Sequence, residues 1–178
     1  MTKIRWAMVG TGLMADLIVR DFALCDNTEL AAIVTRSAER AFPKFAEWGI
    51  EPVTLLESLD AALADESIDL IYVAAPHSEH YWMTKAALEA GKHVLCEKAF
   101  TMNADEAREL VALAREKGLF LMEAMWTKFN PLMNELKRRT EAGEIGELKL
   151  IETHFGFNRP YDESHRLFDA KLGGDLFG

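Results

Sequence analysis

The stretch that most constrains this chain is Lys3 to Ala15, KIRWAMVGTGLMA. Ile4, Trp6, Met8 and Val9 form a short apolar run that reads as a buried strand ending at Gly10. Gly10, Gly12 and Ala15 then give G-x-G-x-x-A, and the apolar spacing changes from strand-like to helical. Such a fingerprint needs a strand feeding a glycine turn that opens a helix, because each small residue has a separate task there. Gly10 permits the tight turn, Gly12 lets a pyrophosphate approach the backbone, and Ala15 keeps the helix close to the sheet. Gly10, Thr11, Gly12, Leu13 and Met14 are therefore the first candidate ligand-binding residues. The free N–H groups and partial positive charge of the helix N-terminus favour a phosphate at that point. A glycine turn that serves only the fold has the same local spelling, so the pattern of the remaining chain decides between the two.

Beyond residue 15 the chain alternates between helical and strand-like spacing. Ala15, Ile18, Phe22 and Cys25 mark one face of a helix. LAAIVT at 30–35 reads as a second strand, and Ser37 as the N-cap of a helix running to Trp48 and stopped by Gly49. Pro43 inside that segment predicts a kink or a late start. Glu51 to Leu56 is a short strand and Ser58 to Ala64 a short helix. IDLIYVAA at 68–75 is a continuous apolar run suited to a strand covered on both faces, ended by Pro76. Met83, Ala86, Ala87 and Ala90 mark the next helix, closed by Gly91, and His93 to Cys96 the next strand. Asn103 caps a helix whose inner face is Ala104, Ala107, Leu110, Val111 and Ala114, and Leu119 to Met125 is a sixth strand. Six apolar strands separated by amphipathic helices predict an α/β fold, a doubly wound parallel sheet of the Rossmann type.

Ligands in such sheets sit beyond the carboxyl ends of the strands, where the topology reverses. The rule selects the loops at 10–14, 35–37, 75–80 and 97–100. At the second strand an acid would hydrogen-bond ribose hydroxyls, whereas an Arg accommodates a 2′-phosphate. This chain has Thr35-Arg36-Ser37 with Arg40 one helical turn on, which predicts NADP(H) over NAD(H), with a solvated Arg pair as the plain alternative. Ala75, Pro76, His77 and His80 form a polar loop beside the expected cofactor. The two histidines have no Cys or acidic partner that completes a metal site, and a loop capping the next helix explains them. Glu97-Lys98 ends the fifth strand, where a nicotinamide ring is expected. Lys98 there suits hydrogen bonding or proton donation to the oxygen of a carbonyl being reduced, against the alternative of an exposed Glu/Lys pair.

Composition narrows the class. The 178 residues are 49% hydrophobic and 28% charged, as in an ordinary globular protein able to bury one good core. A net charge of −9 argues against non-specific nucleic-acid binding and against an anionic membrane surface. The two cysteines, Cys25 and Cys96, lack metal-like spacing and are expected to be buried thiols in a reducing compartment. No run has the length of a signal sequence or membrane span, so a cytoplasmic location is expected.

With these loops placed, the chain resembles the Gfo/Idh/MocA family of NAD(P)-dependent oxidoreductases. The matching pieces are GTGLMA at 10–15, AAPHSEH at 74–80, ALEAGKHVLCEKAF at 87–100 and MEAMWTKFNP at 122–131. The last is most similar to the branch holding dihydrodiol dehydrogenases and NADP-dependent D-xylose dehydrogenases. The resemblance implies hydride transfer between the cofactor and a sugar, polyol or cyclic diol. It implies that Lys98, the lysine of the family's E-K-P motif, is catalytic or positions substrate, with Trp126 and Phe129 on the nicotinamide and substrate side. Ala99 stands where many relatives carry Pro; alanine strongly prefers a trans bond, so a local difference is expected.

The same resemblance implies a dinucleotide-binding domain over 1–125 and an incomplete substrate and oligomerisation domain over 126–178. RLFDAKLGG at 166–174 is similar to the family segment that leads into a glycine-rich turn and a helix bearing an Asp near the substrate. Asp175 is out of that motif's register and does not inherit the role. The residues point the same way: after a helix from about Pro131 to Ala142, ELKLIETHFGF at 147–157 reads as a long strand without a neighbour for its ladder. A truncated chain, or a sheet completed by self-association into a homo-oligomer, is expected. Two further readings stay open: a non-catalytic NADP(H)-binding module or inactive fragment, and a fold in which the glycine turn binds nothing.

Overall fold

The computed structural model describes residues 3–22, 24–154, 156, 158, 160–163 and 168–172. The elements run β1 (Ile4–Val9), α1 (Leu13–Phe22), β2 (Thr28–Val34), α2 (Ala38–Trp48), β3 (Thr54–Leu56), α3 (Leu59–Ala64) and β4 (Leu70–Val73). They continue with α4 (His77–Glu89), β5 (His93–Cys96), α5 (Ala104–Lys117), β6 (Leu121–Glu123), a short 3-10 helix (Trp126–Phe129) and α6 (Pro131–Glu141). The strands form one sheet in the order β3-β2-β1-β4-β5-β6, with every neighbouring pair parallel. Successive strands step outward from β1 to β3, and the connection to β4 then returns across the sheet to the other side of β1. The topology therefore reverses between β1 and β4, as the alternating pattern predicts.

Side-chain alternation divides the core into two layers. On β1, Ala7 and Val9 face one layer with Ile71, Val73, Val94 and Cys96, covered by α3, α4 and α5 through Leu59, Leu88 and Leu110. Trp6 and Met8 face the other with Ile33 and Tyr72, covered by Val19 of α1 and by Phe45 and Trp48 of α2. Burying such side chains is worth roughly 1.5–3 kcal/mol each before conformational entropy is set against it.

Local signals set most boundaries. Asn103 accepts from the N–H groups of Asp105 and Glu106 at 3.1 and 3.0 Å, and Ser58 from that of Ala61 at 3.2 Å. Asn130 caps α6 by accepting from Leu132 at 2.9 Å, with Pro131 at the first turn.

Several expectations are corrected. α2 begins at Ala38 despite Pro43: the carbonyl of Glu39, which loses its partner, belongs to an exposed residue, while Ala41, Phe45 and Trp48 anchor the inner face. The segment from His77 to His80 is not loop but the first turn of α4, starting directly after Pro76. Cys25 is exposed, because α1 stops at Phe22 and leaves it in the turn before β2. On α5 only Leu110 and Ala114 are buried; Ala104 and Val111 are exposed, since this helix packs along α4 at the end of its layer. The strand expected over 147–157 is absent from its described residues, and Leu148, Leu150 and Ile151 are exposed. Among the described residues no strand is paired with this segment, and an unpaired strand gains no ladder hydrogen bonds. Phe155 and Phe157 lie outside the described residues, as do residues 164–167 and 173–178, which include Asp175 and part of RLFDAKLGG.

Candidate active site

Parallel pairing brings the carboxyl ends of all six strands to one edge, so the four loops picked out by sequence share that edge. At the first of them the N–H of Gly10 donates to the carbonyl of Val34 at 3.0 Å, carrying the β1–β2 ladder to the turn. Gly10 has φ of 103°, and a Cβ there would lie 2.8 Å from the carbonyl oxygen of Ala74. The backbone just past β4 thus leaves no space for a side chain at the reversal point. Gly12 is the opposite: exposed, with nothing within 4 Å of where a Cβ would stand. Open space in front of the N-terminus of α1 fits a phosphate group, which needs bare N–H donors and room. Leu13 is exposed beside it, and Thr11 and Met14 are half-buried.

Helix α1 is locked in place from behind. Asp16 accepts from Lys44 at 2.5 Å and from the indole N–H of Trp48 at 3.0 Å, both on α2. Partial burial pushes the Asp16 carboxyl up, but these two hydrogen bonds and the charges of Lys44 and Arg20 outweigh it and hold it below the usual carboxylate range.

At the end of β2, the hydroxyl oxygen of Thr35 accepts from the N–H of Ser37 at 3.2 Å. Ser37 stands at the N-cap of α2, yet its own hydroxyl makes no capping bond. Arg36 and Arg40 are both exposed on this side. At the end of β4, Ala75 and Pro76 lead into α4, and His80 is fully buried. Its Nε2 lies 2.9 Å from the carbonyl oxygen of Ala75 and its Nδ1 2.8 Å from that of Ala99. Both nitrogens face main-chain carbonyl oxygens, one in the β4 loop and one in the β5 loop, and a neutral ring donates its single N–H to one of them. The half-buried ring of His77 stands edge-on to it at 5.4 Å.

The β5 end departs from the plain alternative that the sequence left open. Glu97 and Lys98 are not an exposed pair: Lys98 is exposed, but Glu97 is turned in and only 4% exposed. One carboxylate oxygen accepts from the hydroxyl of Tyr72 at 2.6 Å, the other from the main-chain N–H of Lys98 at 3.2 Å. Burial, followed by the hydrogen bond and charge of Glu97, pushes the Tyr72 phenol far up, so the phenol keeps its proton and donates. The Lys98–Ala99 bond is cis, correcting the expectation of a trans bond at alanine. The loop is held on both sides, by His80 at Ala99 and by Glu123, which accepts from the N–H of Phe100 at 3.0 Å.

Glu97 opens on a cleft of about 420 Å³ whose lining includes Met14, Leu95, Met122, Trp126 and Phe129. The structure thus unites Met14 of the glycine turn, Glu97 and the 126–129 helix in one cleft. Arg36, Ser37 and Arg40 lie away from it, beyond β2 on the other side of the reversal point. Tyr72 and Glu123 are site residues that the loop-by-loop pattern does not single out, although each is a polar residue inside an otherwise apolar strand, which was the available signal. The arrangement offers an anion cradle at Gly12, a mainly apolar cleft, and an ammonium at the end of β5.

Residues 4–125 match the family model described as oxidoreductase family, NAD-binding Rossmann fold. The chain is 35% identical to the D-xylose 1-dehydrogenase (NADP(+)) of Hypocrea jecorina, with 96% of this chain and 48% of that protein aligned. It is 36% identical to the trans-1,2-dihydrobenzene-1,2-diol dehydrogenase of Mus musculus, over 87% of this chain and 46% of the other. A solved 3-ketoreductase from Actinomadura kijaniata, in complex with NADP, superposes with a TM-score of 0.71 at 33% identity, covering 82% of this chain and 46% of that one. The chain spans about half the length of the curated relatives it matches. A glycine cradle at the sheet reversal, a buried acid beside an exposed lysine at the end of β5, and a match through 4–125 leave one conclusion: the chain belongs to the Gfo/Idh/MocA family of oxidoreductases with an NAD-binding Rossmann fold.

Proposed function

We propose that this chain is the cofactor-binding part of an NADP(H)-dependent oxidoreductase acting on a sugar, polyol or cyclic diol. Residues 1–125 form its dinucleotide half, and 126–178 begin the half that carries substrate and makes a homo-oligomer. The observation that carries this reading is the shared edge, where the open space at Gly12 and the cleft at Glu97 meet around Met14. The bound nicotinamide cofactor supplies or accepts the hydride. The chain's own residues bind and orient. Gly10, Thr11, Gly12, Leu13 and Met14 hold the pyrophosphate, and Arg36, Ser37 and Arg40 the 2′-phosphate. Ala75, Pro76, His77 and His80 wall the middle of the site. Glu97, Lys98 and Trp126 stand at the ring. Lys98 holds its ammonium toward the substrate oxygen, where it stabilises developing alkoxide charge and exchanges a proton with it.

Support for this substrate class comes from the D-xylose and dihydrodiol dehydrogenases among the relatives, and for NADP from the first of them and from the ketoreductase complex. The test is an NADPH fluorescence titration of the chain and of Lys98→Met, with turnover assayed on D-xylose and trans-1,2-dihydrobenzene-1,2-diol. Binding retained in both, with turnover lost in the variant, is the expected result. Absence of NADPH binding overturns the reading.

A further inference from the structure

Among the described residues Glu97 is the one buried carboxylate. Its two hydrogen bonds come from neutral donors, the Tyr72 hydroxyl and the Lys98 main-chain N–H, and no cation of the described residues forms an ion pair with it. Two donors aimed at two oxygens suit a carboxylate, which only accepts. A carboxylate removed from water without a positive partner is costly, and such groups are ordinarily paired. The uncompensated charge faces a cleft lined mainly by apolar side chains.

We propose that Glu97 is the counter-charge for the oxidised nicotinamide ring, so that the site binds NADP+ in preference to NADPH, with Tyr72 as the positioning residue that aims it. The inference rests on the proposed cofactor and goes one step beyond it. Oxidised and reduced cofactor share the adenosine, the ribose groups and every phosphate; they differ in one positive charge on the ring. A fixed carboxylate a few ångströms away therefore acts on one form only. In surroundings of intermediate dielectric, a unit charge at that range changes the ratio of the two affinities by roughly ten- to a hundredfold. The cradle at Gly12 binds both forms alike, because it contacts neither ring.

The test measures dissociation constants of three probes on the chain: NADP+ by calorimetry, NADPH by fluorescence, and 2′,5′-ADP, which lacks the nicotinamide. In Glu97→Gln the NADP+/NADPH ratio of dissociation constants is expected to rise about tenfold or more, with 2′,5′-ADP unchanged. Glu97→Asp, which keeps the charge, should restore most of the preference. If Glu97→Gln fails to fold by circular dichroism, Tyr72→Phe combined with Glu97→Met removes both partners without orphaning either and must show the same rise. A purely structural role for Glu97 weakens both dinucleotides equally; equal losses, or an unchanged ratio, overturn the inference while 2′,5′-ADP binding keeps the cofactor assignment intact. Failure of the unaltered chain to bind any of the three probes overturns both.

Discussion

His80 and Ala99, nineteen positions apart, meet at 2.8 Å, and through the other side of the same ring Ala99 is linked to Ala75 at 2.9 Å. Both neighbours of the imidazole are carbonyl oxygens, which only accept, and a neutral ring with its single N–H donates to one of them while packing between the two loops. The α4 helix thus starts with a residue pattern whose purpose is to fix another loop.

Replacing His80 by Leu should remove the ring's hydrogen bond to the main chain between half-buried Ala75 and exposed Ala99. Loss of such a bond costs about 0.5–1.5 kcal/mol, so urea denaturation should show a destabilisation of at least that size with the sheet intact by circular dichroism. A midpoint equal to that of the unaltered chain would show that the ring contributes nothing to the loop.

Arg36 offers a second measurement. It is exposed, at the end of β2 and away from the Glu97 cleft, so its removal leaves the fold untouched. Arg36→Ala should weaken NADPH far more than NADH, because a guanidinium–phosphate contact exists for only one of them. Equal losses for the two cofactors would reject the assignment of the 2′-phosphate to this side.

The two thiols should separate cleanly. Cys96 is buried, and burial pushes its thiol up to about 12, with the neighbouring acids Glu97 and Glu123 adding to the rise. Cys25 is exposed. Since the thiolate is the reactive form, a disulfide reagent near neutral pH should label one thiol in the native chain and two in denaturant, and Cys25→Ser should abolish the native signal.

How much of this was legible in the sequence depends on the range over which each signal acts. The strands Ile4–Val9 and His93–Cys96 and the stops at Gly49 and Gly118 were legible because apolar runs, turns and left-handed glycines are local. The position of Lys98 was legible too, since a parallel sheet fixes where its strand ends lie. The inward turn of Glu97 was not: its partner Tyr72 lies 25 positions away on a different strand, and only the β4–β5 register brings them together. The 147–157 segment failed for the converse reason. Its alternation is strand-like, but a strand exists only with a neighbour, and no pattern within the segment says whether one is there.

Asp16 makes stability depend on pH in acid. Its carboxyl is held below the ordinary value near 3.9 by Lys44 and Trp48, despite the opposing effect of partial burial. A depressed folded value means that the stabilisation is fully present above the unfolded value and is lost as pH falls through the folded one. Stability should therefore be flat from neutrality to about pH 4 in this contribution and decline below it. Asp16→Asn should lower stability by about 1 kcal/mol at pH 7 and remove this part of the decline. Equal acid slopes in the two chains would place the pH dependence elsewhere.

The two glycines of the first turn should fail in different ways, and the difference separates fold from function. At Gly10 the positive φ and the Ala74 carbonyl 2.8 Å from a would-be Cβ belong to the protein itself. Gly10→Ala should destabilise the chain whether or not any ligand is present, by about 1–3 kcal/mol for the strained backbone, with more if β4 must shift. At Gly12 a Cβ meets nothing within 4 Å, so Gly12→Ala should leave the urea midpoint nearly unchanged. The added methyl group instead stands where a pyrophosphate approaches the helix N-terminus. Its effect should appear as loss of NADP+ and NADPH binding together and by the same factor, since the two share every phosphate. If Gly12→Ala bound both as tightly as the unaltered chain, the open space beside α1 would not be the phosphate cradle.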